Sequence, residues 1–126
     1  MSRKKKKLGK NAKLAVTRSE AHTFMELPAT LRAIVRGYVR DTDRRRRALA
    51  DPGIPEQLRE KYRSINEKID EATEMLDPVM RQIFLVDICN KRGYDKSAAR
   101  DYMARPTYYR QKNRLETEIA RQLELI

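Results

Sequence analysis

The chain has 126 residues, of which 40% are hydrophobic and 37% are charged, and its formal net charge is +11. This length allows one domain, or a small domain with an arm, and a composition with 4 Gly, 2 Phe and no Trp favours an all-α fold. A balance this basic indicates a polyanionic partner. Cys89 is the only cysteine and His22 the only histidine, which excludes a disulfide framework within the chain and a zinc site, and indicates a reducing compartment. We expect no metal and no cofactor.

The sequence also lacks the signals of membrane insertion and of catalysis. No apolar stretch approaches the roughly 18 residues of a membrane span, and the N-terminus has no apolar core of a secretory signal. We therefore expect a cytoplasmic protein with no membrane partner. No nucleophile–base pair, phosphate-cradling glycine-rich loop or metal set is evident, so we expect no catalytic residues and no enzymatic activity.

The first segment of the chain is strongly basic. Residues 1–18 contain eight Lys or Arg residues and no acidic residue, and like charges at this density oppose the burial of a core. We predict that residues 1–22 form a disordered basic arm that contacts phosphates or enters a minor groove. A solubilising tail is the simpler alternative. The candidate contacts of the arm are Arg3, Lys4, Lys5, Lys6 and Lys7.

Two amphipathic segments follow, and we assign residues 23–76 to a helical hairpin. The first helix is predicted from Pro28 to about Ala50, with one apolar stripe at helical spacing. Two prolines and a glycine within residues 51–55 end it. The second helix is predicted from about Glu56 to Leu76, where apolar residues recur at alternating spacings of 4 and 3. A short loop between helices of similar length indicates antiparallel pairing.

Charged runs on this hairpin allow two interpretations each. The run Arg44–Arg47 could reach a polyanion, or it could be a solvated helix end beside the acidic second helix. Four acidic residues of the second helix could suggest a metal site, but without a histidine beside them they are better explained as a solvated face. These residues are Glu67, Asp70, Glu71 and Glu74.

Residues 77–126 have the pattern of a trihelical helix-turn-helix unit. Asp77 suits an N-cap and Pro78 the first position of a support helix, which runs from Val79 to about Lys91. Gly93 is placed for a left-handed cap after that helix. A turn helix over residues 96–103 and a tight turn at residues 104–105 then lead into a long helix that is entered through Pro106.

The long C-terminal helix is predicted to have two different faces. At 100° per residue, Tyr108, Leu115 and Ile119 fall within one narrow sector, and cationic and amide side chains point roughly opposite. A helix in a DNA major groove requires this arrangement. The apolar stripe continues to Ile126, which indicates that residues 115–126 pack on the hairpin or pair with a second copy as a homodimer.

Several residues between positions 76 and 126 match a known pattern: Leu76, Arg81, Ile83–Val86, Ala98 or Ala99, Thr107–Arg110 and Lys112–Leu115. In this order they resemble the sigma-70 region 4-like helix-turn-helix, and within that group the ArpU/RinA-type late-transcription regulators of phages. Residues 28–75 share only the architecture. The turn before Pro106 departs from the pattern, because it is short and lacks the usual glycine. The resemblance implies an activator of phage late genes that meets the host RNA polymerase at the nucleoid of a bacterial cell.

We therefore predict a sequence-specific transcriptional regulator that binds double-stranded DNA. Arginine suits guanine and asparagine suits adenine in the major groove, so the candidate base contacts are Thr107, Arg110, Asn113 and Arg114. The candidate DNA-backbone contacts, which would set the register, are Lys91, Arg92, Lys96, Arg100, Arg105 and Lys112. Two other classes stay open: a terminase small subunit, which would form a ring for DNA packaging, and a helical protein-interaction module with non-specific affinity for nucleic acid.

Overall fold

A computed structural model describes residues 26–126 of the chain, and the predicted basic arm with Arg3 and Lys4–Lys7, as well as His22, lies outside the described residues. Every regular element within residues 26–126 is helical, which confirms the all-α prediction. None of these helices is both long enough and apolar enough to cross a membrane. The elements are α1 (Ala29–Arg40), α2 (Thr42–Leu49), α3 (Glu56–Thr73), α4 (Pro78–Asn90), two 3₁₀ segments (Tyr94–Lys96 and Ala98–Asp101) and α5 (Arg105–Gln122).

The helical hairpin consists of α2 and α3, which pack against each other across the short loop between them. The helix predicted from Pro28 to Ala50 is divided at Asp41, whose φ and ψ of −86° and 5° interrupt the helical backbone. The first half, α1, packs on α4 and α5 instead. The sequence suggested residues 23–76 and 77–126 as separate units, but the described part of the first, from residue 26, packs with the second around one hydrophobic core.

The two ends of α4 differ in how well the sequence predicted them. The Asp77 carboxylate accepts hydrogen bonds from the backbone N–H groups of Val79 (2.9 Å) and Met80 (3.0 Å), which confirms the predicted N-cap. At the other end the prediction of a left-handed Gly93 was wrong. Lys91 takes the left-handed conformation, with a φ of 55°, and the N–H of Arg92 donates to the Asp87 carbonyl at 2.9 Å. This hydrogen bond is the signature of a Schellman motif.

Gly93 meets a different constraint, which is the close approach of a side chain. Its φ is −95°, an ordinary value for any residue. A Cβ atom at this position would lie 2.9 Å from the Tyr109 hydroxyl oxygen, closer than real Cβ contacts come. That hydroxyl accepts a hydrogen bond from the backbone N–H of Tyr94 at 3.1 Å. The absence of a side chain at Gly93 therefore leaves room for the Tyr109 hydroxyl, which connects α5 to the backbone at the first 3₁₀ segment.

The turn helix predicted over residues 96–103 is replaced by the two 3₁₀ segments. Ser97 separates them with extended backbone angles of −95° and 144°, and its hydroxyl accepts the N–H of Ala99 at 2.9 Å. A serine that caps the backbone two residues ahead competes with a continuous α-helix. The side chain of Tyr94 then donates to the Met103 carbonyl at 2.8 Å and ties the first segment to the end of the turn. The helix α5 begins at Arg105, one residue before Pro106.

The apolar face of α5 is the centre of the core. Tyr108, Leu115, Ile119 and Ala120 are all fully buried, as the helical spacing predicted for the first three. The helix packs against α3 and α1 of the same chain. Sequence analysis gave two possible partners for residues 115–126, the hairpin or a second copy. In the structure the buried part of this apolar stripe packs within the same chain, on α1 and on α3 of the hairpin.

The charged runs of the hairpin behave differently from one another. Arg45 is buried, with its Nε donating to the Asn66 Oδ1 at 2.5 Å and its Nη2 to the Tyr38 carbonyl at 2.5 Å, and burial lowers the pKa of this guanidinium. It links α2 to α3 and cannot reach a polyanion. The four acidic residues at positions 67, 70, 71 and 74 are exposed, and no group of metal-ligating side chains is found within residues 26–126.

Candidate nucleic-acid interface

The outer face of α5 carries the four predicted base contacts. Arg110 and Arg114 are exposed and one helical turn apart, while Thr107 and Asn113 are half-buried at the edges of the same face. The opposite face of this helix is anchored in the core through Tyr108. Arg110 and Arg114 therefore lie on the solvent-exposed face of α5, and the opposite face of this helix packs in the core.

Tyr108 anchors the beginning of α5 by both packing and hydrogen bonding. Its ring stacks on Phe84, with ring centroids 5.4 Å apart, and its hydroxyl donates to the Asp87 Oδ2 at 2.8 Å. Burial, and then the hydrogen bond to Asp87, raises the pKa of the Tyr108 hydroxyl. The beginning of α5 is therefore fixed to α4.

Three of the predicted backbone contacts lie around the turn and form what we call the turn cluster: Lys96, Arg100 and Arg105. All three are exposed. Arg105 donates to the Asp95 carboxylate at 2.5 Å, with its guanidinium carbon 5.1 Å from the centre of the Tyr94 ring. Arg100 donates to the Asp95 backbone carbonyl at 3.1 Å. Asp95 thus gathers two of the three cations beside the beginning of α5.

The other three predicted backbone contacts, Lys91, Arg92 and Lys112, lie elsewhere. At 100° per residue, position 112 is about 160° around α5 from both position 110 and position 114. The Lys112 Nζ donates to the Arg92 carbonyl at 2.7 Å, and the three cations line one cleft of about 230 Å³. The structure therefore separates the predicted backbone contacts into two groups, one at the turn before α5 and one in the cleft.

Sequence reasoning missed two cations of this cleft and one aromatic residue of the outer surface. Arg32 and Arg36 of α1 line the cleft with Lys91, Arg92 and Lys112. Tyr102 is 62% exposed and borders a second cleft, of about 510 Å³, together with Arg114. The i, i+4 spacing of Arg32 and Arg36 was visible in the sequence, but no local pattern indicated that these two side chains lie beside the end of α4 and Lys112.

One carboxyl lies among the cations of the 230 Å³ cleft. Glu116 is buried, and its burial raises its pKa, a rise opposed by the positive charges of Lys112, Arg32 and Arg36. The described surfaces thus offer fixed cations of two kinds, exposed guanidinium groups on α5 and a partly enclosed basic cleft, and both suit anionic ligands. Comparison of the chain with protein-family models, curated proteins and solved structures found no match.

Proposed function

We propose that this protein is a sequence-specific regulator of transcription that binds double-stranded DNA through the first half of α5. One observation carries the proposal: Arg110 and Arg114 stand one turn apart on the exposed face of a helix whose opposite face is fully buried. A helix fixed in this way can enter a major groove as a rigid element, and the planar guanidinium groups suit the two acceptors of guanine.

The charge distribution supports the same function. Residues 91–114 carry eight basic and two acidic side chains, whereas residues 115–126 carry one arginine and three glutamates. The basic half includes the exposed turn cluster, which suits phosphate contacts beside the beginning of the helix. The acidic half contains the residues that pack on the hairpin. The turn and the first half of α5 would thus bind DNA, while the second half of α5 packs on the hairpin.

The finer parts of the proposal come from the resemblance to ArpU/RinA-type regulators. They are activation of phage late genes, contact with the host RNA polymerase, and a place in the cytoplasm at the bacterial nucleoid. The outer face of α5 is exposed although two 3₁₀ segments replace the predicted turn helix. The base contacts proposed are therefore Thr107, Arg110, Asn113 and Arg114.

The proposal is tested by selecting bound fragments from a sheared library of the source genome. Selection is made at roughly 200 mM salt, because salt at this level suppresses the non-specific binding of a basic protein. We expect enrichment of one short site upstream of a block of genes. Enrichment at a packaging site together with assembly into a ring would favour the terminase function instead. Recovery without any preferred sequence would contradict a sequence-specific regulator.

Substitution of Arg110 tests the role of the helix face itself. Arg110→Ala should weaken binding to the selected site by about 1–3 kcal/mol and relax the preference at one base pair. The matched control is Arg63→Ala on α3, which removes the same charge from an exposed arginine that pairs with Glu60 at 3.5 Å. Equal losses for the two variants, measured by competition against a mutated site, would show that only net charge matters.

A further inference from the structure

The basic cleft on the inner side of α5 has five cationic side chains and one acidic side chain in its lining. Its walls are Arg32 and Arg36 from α1, Lys91 and Arg92 from the end of α4, and Lys112 from α5, with Glu116 as the one acidic residue among its lining residues. The volume of the cleft is about 230 Å³. Like charges held together in this way repel, and arginines at i, i+4 positions weaken a helix slightly. A bound anion would offset both costs.

Hydrogen-bonding groups in the cleft are only partly used by the protein. The Nε of Arg32 is buried and has no hydrogen-bond partner, although the end of this side chain forms an ion pair with Glu26 at 3.5 Å. A buried donor without a partner is costly and uncommon in native structures. The Tyr109 hydroxyl, which also lines the cleft, accepts from the Tyr94 backbone and keeps its own proton to donate. These are donors of the kind that a phosphate oxygen accepts.

The backbone around the cleft is fixed before any ligand binds. The Schellman motif sets Lys91 and Arg92 at the end of α4, and the Lys112 Nζ is held at 2.7 Å from the Arg92 carbonyl. Gly93 and Tyr109 form the adjoining wall, in contact through the hydroxyl. A site that is already organised loses little conformational entropy on binding.

We propose that this cleft is a binding site for a phosphate group. Five cations, two donors without a full set of partners and a small, partly open cleft suit a compact, doubly charged anion. The cleft lies about 160° around α5 from Arg110 and Arg114, so this site stands apart from the proposed base-contacting face. The phosphate can belong to a free phosphorylated compound or to the backbone of a nucleic acid.

The proposal is tested by titrating the full-length, ¹⁵N-labelled protein with inorganic phosphate at constant ionic strength, with chloride as the reference anion. We expect saturable shifts of the backbone amides around the cleft, those of Arg92, Gly93 and Tyr109 among them, and not of amides on α3. Arg36→Ala should weaken phosphate binding roughly tenfold, because it removes a charge-assisted contact. Arg63→Ala, which removes the same charge far from the cleft, should leave it within about twofold.

A second variant changes binding in the opposite direction. Glu116→Gln keeps the shape of the side chain and removes the negative charge from the cleft, so it should tighten phosphate binding by roughly three- to tenfold. Because this variant gains affinity, its effect cannot come from unfolding. Shifts that do not saturate, that chloride reproduces, or that are equal in Arg36→Ala and Arg63→Ala would overturn the proposal.

A short DNA duplex in place of phosphate identifies the source of the group. If the duplex shifts the same cleft amides and Arg36→Ala weakens its binding by the same factor, the ligand is a nucleic-acid backbone. If inorganic phosphate binds in the cleft while the duplex leaves those amides unchanged, the ligand is a free phosphorylated compound. A duplex that displaces bound phosphate but leaves the Arg110 amide unchanged would still support phosphate binding in the cleft. That result would contradict only the proposed binding of DNA through Arg110.

Discussion

Tyr108 and Asp87 form a buried polar pair beneath the proposed DNA-binding half of α5. Tyr108 has no exposed surface and Asp87 is 1% exposed, and the hydroxyl–carboxylate distance is 2.8 Å. A hydrogen bond to a charged group in such surroundings contributes more than an ordinary one, and removing the donor leaves the acceptor unsatisfied. This pair therefore joins α5 to α4 at the point where orientation of the helix matters most.

Replacing the Tyr108 hydroxyl measures the strength of this link. Tyr108→Phe keeps the ring contact with Phe84 and removes the donor to Asp87, so we expect the free energy of unfolding to fall by about 2–3 kcal/mol. Chemical denaturation followed by circular dichroism gives the value. The matched control is Tyr102→Phe, at a tyrosine that is 62% exposed, where the change should stay within about 0.5 kcal/mol. A loss equally small at Tyr108 would mean that the buried hydrogen bond is absent in solution.

The buried Arg45 shows a limit of residue-level prediction. The sequence presents four consecutive arginines, and nothing local distinguishes the second from the others. Its burial depends on Asn66, which is 21 positions away, and on the carbonyl of Tyr38. A charge buried with hydrogen-bond partners is tolerated, whereas the same charge without them is not. Contacts between residues so far apart in the chain leave no spacing signal in the sequence.

At the scale of elements, the end of α4 is a strained cap with a definite energetic consequence. Lys91 occupies the left-handed region, which costs an ordinary residue about 1 kcal/mol relative to glycine. Lys91→Gly should therefore be more stable than Lys91→Ala by about 1 kcal/mol, because both variants lose the same side chain and only alanine keeps the penalty. Thermal or chemical unfolding of the two variants provides the comparison. Equal stabilities would show that position 91 is not left-handed in solution.

Which elements could be predicted depends on whether local chemistry decides them. The cap at Asp77 and Pro78 and the buried sector of α5 follow from side-chain type and helical period, and both predictions are confirmed. The turn region does not follow in this way, because Ser97 and the tyrosine hydroxyls of residues 94 and 109 select 3₁₀ geometry through specific hydrogen bonds. The left-handed position is Lys91 because α4 ends at Asn90, two residues earlier than a cap at Gly93 requires.

The same distinction applies to the candidate interface. The outward face of α5 was predictable from the 100° period, so Arg110 and Arg114 were found, whereas the cleft required tertiary contacts. Its cations come from three helices, and the contribution of α1 depends on packing against α4 and α5 rather than on any local pattern. Sequence reasoning could name Lys91, Arg92 and Lys112 as basic, but it could not place them away from the outer face.

At the scale of the whole molecule, four of the five helices, α1, α3, α4 and α5, contribute to one core. Val35 of α1, Ile69 of α3, Phe84 of α4 and Ile119 of α5 belong to a single cluster of buried residues. The proposed DNA-binding segment therefore shares its core with the first half of the chain. The second half of α5 is covered by α1 and α3. A substitution that destabilises α1 or α3 should therefore also change the position of α5.

This dependence predicts that residues 77–126 do not fold stably when produced without the rest of the chain. The side chains of Leu115, Ile119 and Ala120, all fully buried in the complete chain, would lose the helices that cover them, and a segment of this size has little other surface to bury. We expect poor dispersion of its amide resonances and no cooperative thermal transition, whereas residues 23–126 should show both. In the full chain, Ile119→Ala should cost about 2–5 kcal/mol, and Ile126→Ala, at a side chain that is 56% exposed, much less. Cooperative unfolding of the isolated segment would instead establish residues 77–126 as an independent domain, with the shared core only an interface between two units.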